Sequence, residues 1–209
     1  MAKFTAEQLG VLAEKIKANN TTINRAASLA INKTVTYAKD LSISEIVRNV
    51  NLQQSYIKQN LKTAKRASPS DLSAIIRANT RETLLTRYPY QETSTGVRVA
   101  INKTTGYRTI NRAFRVTNLR GSGATGIALK NKDAVEVFRR SLSPSTPGKA
   151  AKLARIEAKA ETKPNGITVL HSRSINQLFT SVREDVQPRT YRFMADQFIS
   201  DLQRLKGKS

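Results

Sequence analysis

The chain has 209 residues, 39% of them hydrophobic, with no cysteine and no tryptophan; that length allows one larger domain or a domain with an appended arm, and the missing cysteine excludes a disulfide framework, a thiolate metal site and a cysteine nucleophile. Lys and Arg number 36 against 15 acidic residues, a formal net charge of +21, which points to a polyanion as partner, nucleic acid first, since each phosphate neutralised releases a counterion. The mean hydropathy of −0.44 and the lack of any run near the ~18 apolar residues of a membrane span exclude a spanning helix, and a chain this polar is expected to bury part of its surface against other subunits.

The N-terminus predicts a charged amphipathic helix from Thr5 to about Asn19, with Leu9, Leu12, Ala13 and Ile16 inward and no apolar core of a signal peptide. A longer helix follows, in which Ile23, Ala26, Ala27, Ala30, Ile31, Tyr37, Ala38 and Leu41 share one stripe. Most of that stripe is alanine, so another element can pack close. Ser44 to Val50 predicts a second segment, with Ile46, Val47 and Val50 on one face. Asn51 marks the turn after it, tolerating left-handed backbone or capping the next helix with Gln54 as the partner of a capping box. A third helix, Leu52 to about Lys62, buries Leu52, Ile57 and Leu61 and leads into Lys62, Lys65 and Arg66.

Beyond Ser68-Pro69-Ser70-Asp71 the pattern changes to short β-branched stretches: Leu72 to Asn79, Thr83 to Tyr90, Gly96 to Asn102 and Tyr107 to Asn118. Val97, Val99 and Ile101 alternate with Arg98 and Ala100, the period of a half-buried strand, and Lys103-Thr104-Thr105-Gly106 supplies a hairpin turn with Gly106 free to take positive φ. An antiparallel sheet of about three to five strands is expected, flanked by helices. Asp133 to Leu142 predicts a short helix, Ser141 to Gly148 a break, and Gly148 to Thr162 a helix with a thin apolar stripe or a solvated arm. Ile167 to His171 predicts a strand. Ser174 to Val186 and Arg189 to Lys206 predict two helices separated by Pro188, the second with Tyr191, Met194, Ala195, Phe198, Ile199, Leu202 and Leu205 on its stripe. The fold class is α+β: N-terminal helices over residues 1–67, a β-rich core over 68–142, a basic arm over 143–166, and a C-terminal strand and helices over 167–209, together one composite domain.

Catalytic chemistry has little to work with. His171 is the only histidine, so a multi-histidine metal site is out of reach, and no G-x-S-x-G elbow accompanies it. Glu184-Asp185 and the pair Asp133 and Glu136 sit on predicted helices, where carboxylates face solvent or pair with nearby arginines. Gly121-Ser122-Gly123-Ala124-Thr125-Gly126 matches G-x-G-x-x-G, but no helix opens at its last glycine, so a flexible loop is the reading, with Arg120 and Lys130 beside it able to touch phosphate. No enzyme activity, cofactor or metal is expected.

Two functional readings remain. Glu45 to Leu61 resembles a helix-turn-helix, with apolar residues at Ile46, Val50, Leu52, Ile57 and Leu61 and with Gln53, Gln54 and Tyr56 opening a recognition helix; this is the alternative, a DNA-binding regulator. More of the chain is covered by Ala30-Ile31-Asn32-Lys33, Ala38, Ile46-Val47-Arg48, Ile57-Lys58 and Lys65-Arg66-Ala67, which resemble the minor tail protein Z family of tailed phages, with an alanine-rich helix carrying A-[IL]-N-[RK], a valine-arginine step and a lysine-rich helix closing on K-R-A. The resemblance resumes at Ile167 to His171, Ile175, Leu178 and the helix from Arg189, while 72–162 has no residue-by-residue match. It implies a non-enzymatic virion protein, assembled in the host cytoplasm. This would be a tail-completion component at the head-proximal (neck) end, needed for tails that join heads and pass DNA. As partners it implies other copies in a six- or twelve-fold ring, tail-terminator, tail-tube or head-connector proteins, and the DNA backbone without base readout; no membrane is involved. Lys58, Lys62, Lys65, Arg66, Arg120 and Lys130 are the expected phosphate contacts, and Ala26, Ala27, Ala30, Ile31, Ala38, Phe198 and Leu202 the expected packing positions between helices or subunits.

Overall fold

A computed structural model describes residues 2–5, 21–141 and 148–207. The predicted first helix, apart from Thr5, and the break after Ser141 lie outside the described residues. The chain forms two compact units, each assembled from segments distant in sequence: Met1–Arg48, Gln53–Arg81 and Arg173–Ser209 make the first, Asn49–Leu52 and Glu82–Ser172 the second.

The first unit is built on two long helices, α1 (Thr21–Asn49) and the C-terminal α5 (Ile175–Lys206). α1 runs without interruption through Ser42 and Ser44, where the sequence predicts two segments. The hydroxyls that would compete with a helix instead bond back along it, from Thr34 to the Ala30 carbonyl, Ser42 to Ala38 (both 2.7 Å) and Ser44 to Asp40 (3.0 Å). α5 begins on a capping box, in which the Ser174 hydroxyl accepts from the Gln177 amide (3.2 Å) and the Gln177 side chain accepts from the Ser174 amide (2.9 Å). It then continues through Pro188, where the sequence predicts a separation. Pro188 and Glu184, whose carbonyl loses its partner, are both on the exposed face, where a missing N–H costs least.

Contacts between the helices fall in opposite chain directions. Phe198 is buried among Ala26, Ala27 and Ala30, with Ile23, Leu72, Leu202 and Leu205 around it; Lys33 meets Asp201; Tyr37 stacks on Phe193 with ring centroids 4.2 Å apart; Glu45 meets Arg189. The helices are therefore antiparallel, and the alanines let Phe198 reach the α1 backbone. Ala26, Ala27, Ala30, Ile31 and Ala38 are buried inside the unit, Leu202 half so. Ile199, placed on the inner stripe by its spacing, is 53% exposed.

α2 is only Gln54–Asn60, and the chain passes directly into strand β2 (Leu61–Lys65). The helix predicted to run from Leu52 to Lys62 is thus shorter, and Lys62 and Lys65 stand on a strand. Ile57 and Leu61 fit a helical step, but Leu61-Lys62-Thr63 also alternates, and pairing with β3 (Ser73–Ala78) decides for the strand. With β1 (Ala2–Thr5) they form an antiparallel sheet of order β1-β3-β2. The capping box expected at Asn51 is absent: α2 has Gln53 at its N-cap with no side-chain bond, and Asn51, in the second unit, donates its amide to the Ile101 carbonyl (2.9 Å) and its side chain to that of Ala100 (3.2 Å).

The second unit holds three small antiparallel sheets among its described residues: β5 (Tyr90–Thr93), β6 (Gly96–Val99) and β7 (Arg108–Asn111) in that order; β8 (Phe114–Val116), β9 (Gly126–Lys130) and β10 (Ile167–Val169) with β9 central; and β4 (Thr83–Leu84) against β11 (His171–Ser172). The α+β class holds, with the strands spread over several sheets. Ile127, Ala128 and Leu129 are all buried, so β9 is covered on both faces and shows no alternation. Gly106 takes φ +59 in the β6–β7 connection, as its turn requires. Arg112, at φ +62, turns the chain between β7 and β8. Helices α3 (Asn131–Ser141) and α4 (Lys149–Thr162) complete the unit, so residues 149–162 are helical.

Candidate nucleic-acid interface

Apart from Ile167 to His171, which lie in the second unit, the residues that carry the family resemblance lie in the first unit, and several have structural work there. Ala30 and Ile31 are buried. The Asn32 side chain donates to the Ala67 carbonyl and accepts from the Ala67 amide, both at 2.9 Å, so A-I-N-K clasps the end of K-R-A across 35 residues. Lys33 donates to both carboxylate oxygens of buried Asp201, at 2.8 and 3.0 Å, and Arg204 adds a third bond at 3.3 Å. Farther along, the Arg189 guanidinium bonds Glu45 at 2.7 Å and holds its carboxyl below the usual glutamate range, against the opposing effect of partial burial and with further help from Arg48.

This frame supports a groove of about 850 Å³ walled by β2, β3 and the first turns of α5, lined by Lys62, Arg77 and Arg183 together with amide, hydroxyl and apolar side chains. Lys62 and Arg77 lie directly opposite each other in the β2–β3 ladder. Like charges at such a position repel. Among the described residues no carboxylate lines the groove, and none pairs with Lys62, Arg77 or Arg183. Asn79 sets the end of the groove: its amide donates to the Asn60 carbonyl (2.9 Å), its side chain to the Asn60 side chain (2.9 Å), and its carbonyl accepts from the Asn176 amide at the start of α5 (3.0 Å).

The six expected phosphate contacts divide between the units. Lys58 and Arg66 are exposed on the first unit, Lys62 lines the groove, and Lys65 is already bound to Asp71 and Ser73, so its charge is largely spent; Lys65, followed by the Ser73 hydroxyl, holds the Asp71 carboxyl below the aspartate range. Arg120 and Lys130 are exposed on the second unit. The glycine loop beside Arg120 turns its amides inward, from Leu119 to the Ala124 carbonyl and from Ser122 and Gly123 to that of Leu119, so it offers no phosphate cradle. The sequence gives no site role to Arg77, Arg183 or Asn79. Arg77 is legible as the outward residue after Ile76, but its meeting with Lys62 depends on strand register, which no local pattern carries.

Among the described residues no helix is long and apolar enough to cross a membrane, and no group of three or more His, Asp or Glu side chains is placed to hold a metal. Residues 12–205 match the family of prophage minor tail protein Z (GPZ), and the chain belongs to that family. It is accordingly a phage tail protein and a component of the virion. No curated protein and no solved structure matches it.

Proposed function

We propose that the chain is a non-enzymatic tail-completion component at the head-proximal end of the tail, assembled in the host cytoplasm, where copies form a six- or twelve-fold ring that takes part in head–tail joining and in the passage of DNA. The observation that carries this reading is membership of a tail-protein family over residues 12–205 in a chain of net charge +21. A ring at the end of a tube seats against a tail-terminator, tail-tube or head-connector protein. Fixed positive charge along the path eases passage of DNA by contacts to phosphates, without base readout and with strong salt dependence.

The regulator alternative loses its main support. A recognition helix must present several base-contacting side chains along its length, whereas α2 has seven residues and ends in a strand. Native mass measurement of the purified protein, alone and with tail fractions, tests the proposal: a closed ring of six or twelve copies is expected, and a compact monomer or dimer that footprints one operator sequence overturns it. Gln53→Ala with Gln54→Ala leaves assembly intact if the protein builds tails, and abolishes operator binding if it regulates.

A further inference from the structure

We infer that the groove between β2, β3 and the start of α5 is the seat for one strand of the duplex DNA backbone, with Lys62, Arg77 and Arg183 each neutralising a phosphate. The assignment rests on the tail reading for its source of DNA, and on the groove itself for its chemistry.

Five features carry it. The three cations converge without a carboxylate, and two of them stand opposite each other on paired strands, an arrangement that an anion between them relieves. The groove is open and far larger than one phosphate requires, so it suits a polymer. Besides apolar residues such as Ile76, its wall carries Gln59, Asn176, Thr63, Thr80 and Thr180, side-chain types that bond phosphate and sugar oxygens. The one aromatic residue in the lining, Phe179, is 5% exposed. A single strand would need exposed rings on which to stack its bases, so the absence of one from this wall favours a duplex. The β2–β3 edge and the α5 start are already locked together through Asn79, so the cations are held in place before DNA arrives.

The test uses the full chain, a short fluorescent DNA duplex and anisotropy titrations over a range of salt. Lys62→Gln, Arg77→Gln and Arg183→Gln combined are expected to flatten the slope of log affinity against log salt by about 2.7, so that between about 50 and about 200 mM salt the wild type loses about 40-fold more affinity than the variant. Lys103→Gln, Lys132→Gln and Arg155→Gln combined remove the same charge from exposed sites of the second unit and are expected to change the slope by less than half as much. Equal slopes for wild type and groove variant, or an equal loss in the two triple variants, overturn the assignment. Displacement of the duplex by polyglutamate as readily as by unlabelled duplex also overturns it, in favour of an acidic protein surface. A labelled single strand held as tightly, with the same salt slope, overturns the choice of duplex. If the triple variant does not fold, Arg183→Gln alone, at an exposed helical position, is expected to lower the slope by about 0.9, and no change overturns the proposal. Native mass of the same samples separates the two ideas: a ring whose DNA binding ignores the groove overturns the groove alone, whereas a monomer whose groove carries the salt dependence overturns the ring alone.

Discussion

Each unit has a groove walled partly by arginine, and the two are opposite in electrostatic character. In the first, Lys62, Arg77 and Arg183 have no acidic partner among the described residues. In the second, the groove beside β7 and α3 is lined by Arg112 and Arg140 together with Asp133 and Glu136, and it neutralises itself: Arg112 bonds Asp133 at 3.0 Å and Glu136 at 3.4 Å, and Arg140 bonds Glu136 at 2.7 Å. A basic chain therefore need not be basic everywhere that arginines gather. What decides is whether carboxylates sit within reach, because a paired guanidinium has little charge left for a phosphate.

The largest effects come from the frames that hold the two grooves. Ile57, on the helix that leads into β2, is fully buried in the first unit; Ile57→Ala, which leaves a cavity there, is expected to cost about 2–5 kcal/mol in urea unfolding and to weaken DNA binding with it. Gly96→Ala acts on the second. A Cβ at Gly96, where φ is +156, would lie 2.2 Å from the Ile110 carbonyl oxygen on the groove wall, so β6 and β7 must part. A loss of about 1–3 kcal/mol is expected, with no change in the salt slope of DNA binding.

Glu136→Gln sharpens the comparison directly. The ion pairs of Glu136 are exposed, so stability is expected to move by no more than about 1 kcal/mol. Arg112 keeps Asp133, so it is the freed Arg140 that should steepen the salt slope, by up to about 1. If the slope stays flat, unpaired arginine is not by itself what binds DNA here.

The smallest effect is in acid. Because Arg189 lowers the Glu45 carboxyl in the folded state, its stabilisation is present above the unfolded value of about 4.3 and is lost as pH falls through the folded one. Wild type is therefore expected to lose more of its urea midpoint than Arg189→Gln when pH falls from about 6 to about 3.

Much of this architecture is legible in residue order, and the misses have physical causes. The alanine stripe of α1, the alternation around Val97 and Val99, and the apolar face of α5 are local patterns, so they can be read. Ser42 and Ser44 look like a break because serine hydroxyls compete for backbone carbonyls; here that competition is resolved by bonding to carbonyls of the same helix. Pro188 looks like a stop and is tolerated on the exposed face of the helix, where Glu184, the residue whose carbonyl it strands, is exposed too. The groove was the least accessible. One of its cations, Lys62, is legible from charge, but Arg77 and Arg183 reach it only through a strand register and a helix arriving from more than a hundred residues away.

That distance also shapes how the protein is made. Asp201 is buried against Lys33, 168 residues upstream. On the ribosome, α1 emerges long before its partner helix exists, and its alanine face must wait, uncovered, for α5. Glu82–Ser172, by contrast, is continuous and is complete while α5 is still being synthesised. Folding in the cell is thus expected to proceed from the middle of the chain outward, with the first unit closing last. Loss of α5 would leave the second unit's segment intact and the clasp between A-I-N-K and K-R-A without its cover.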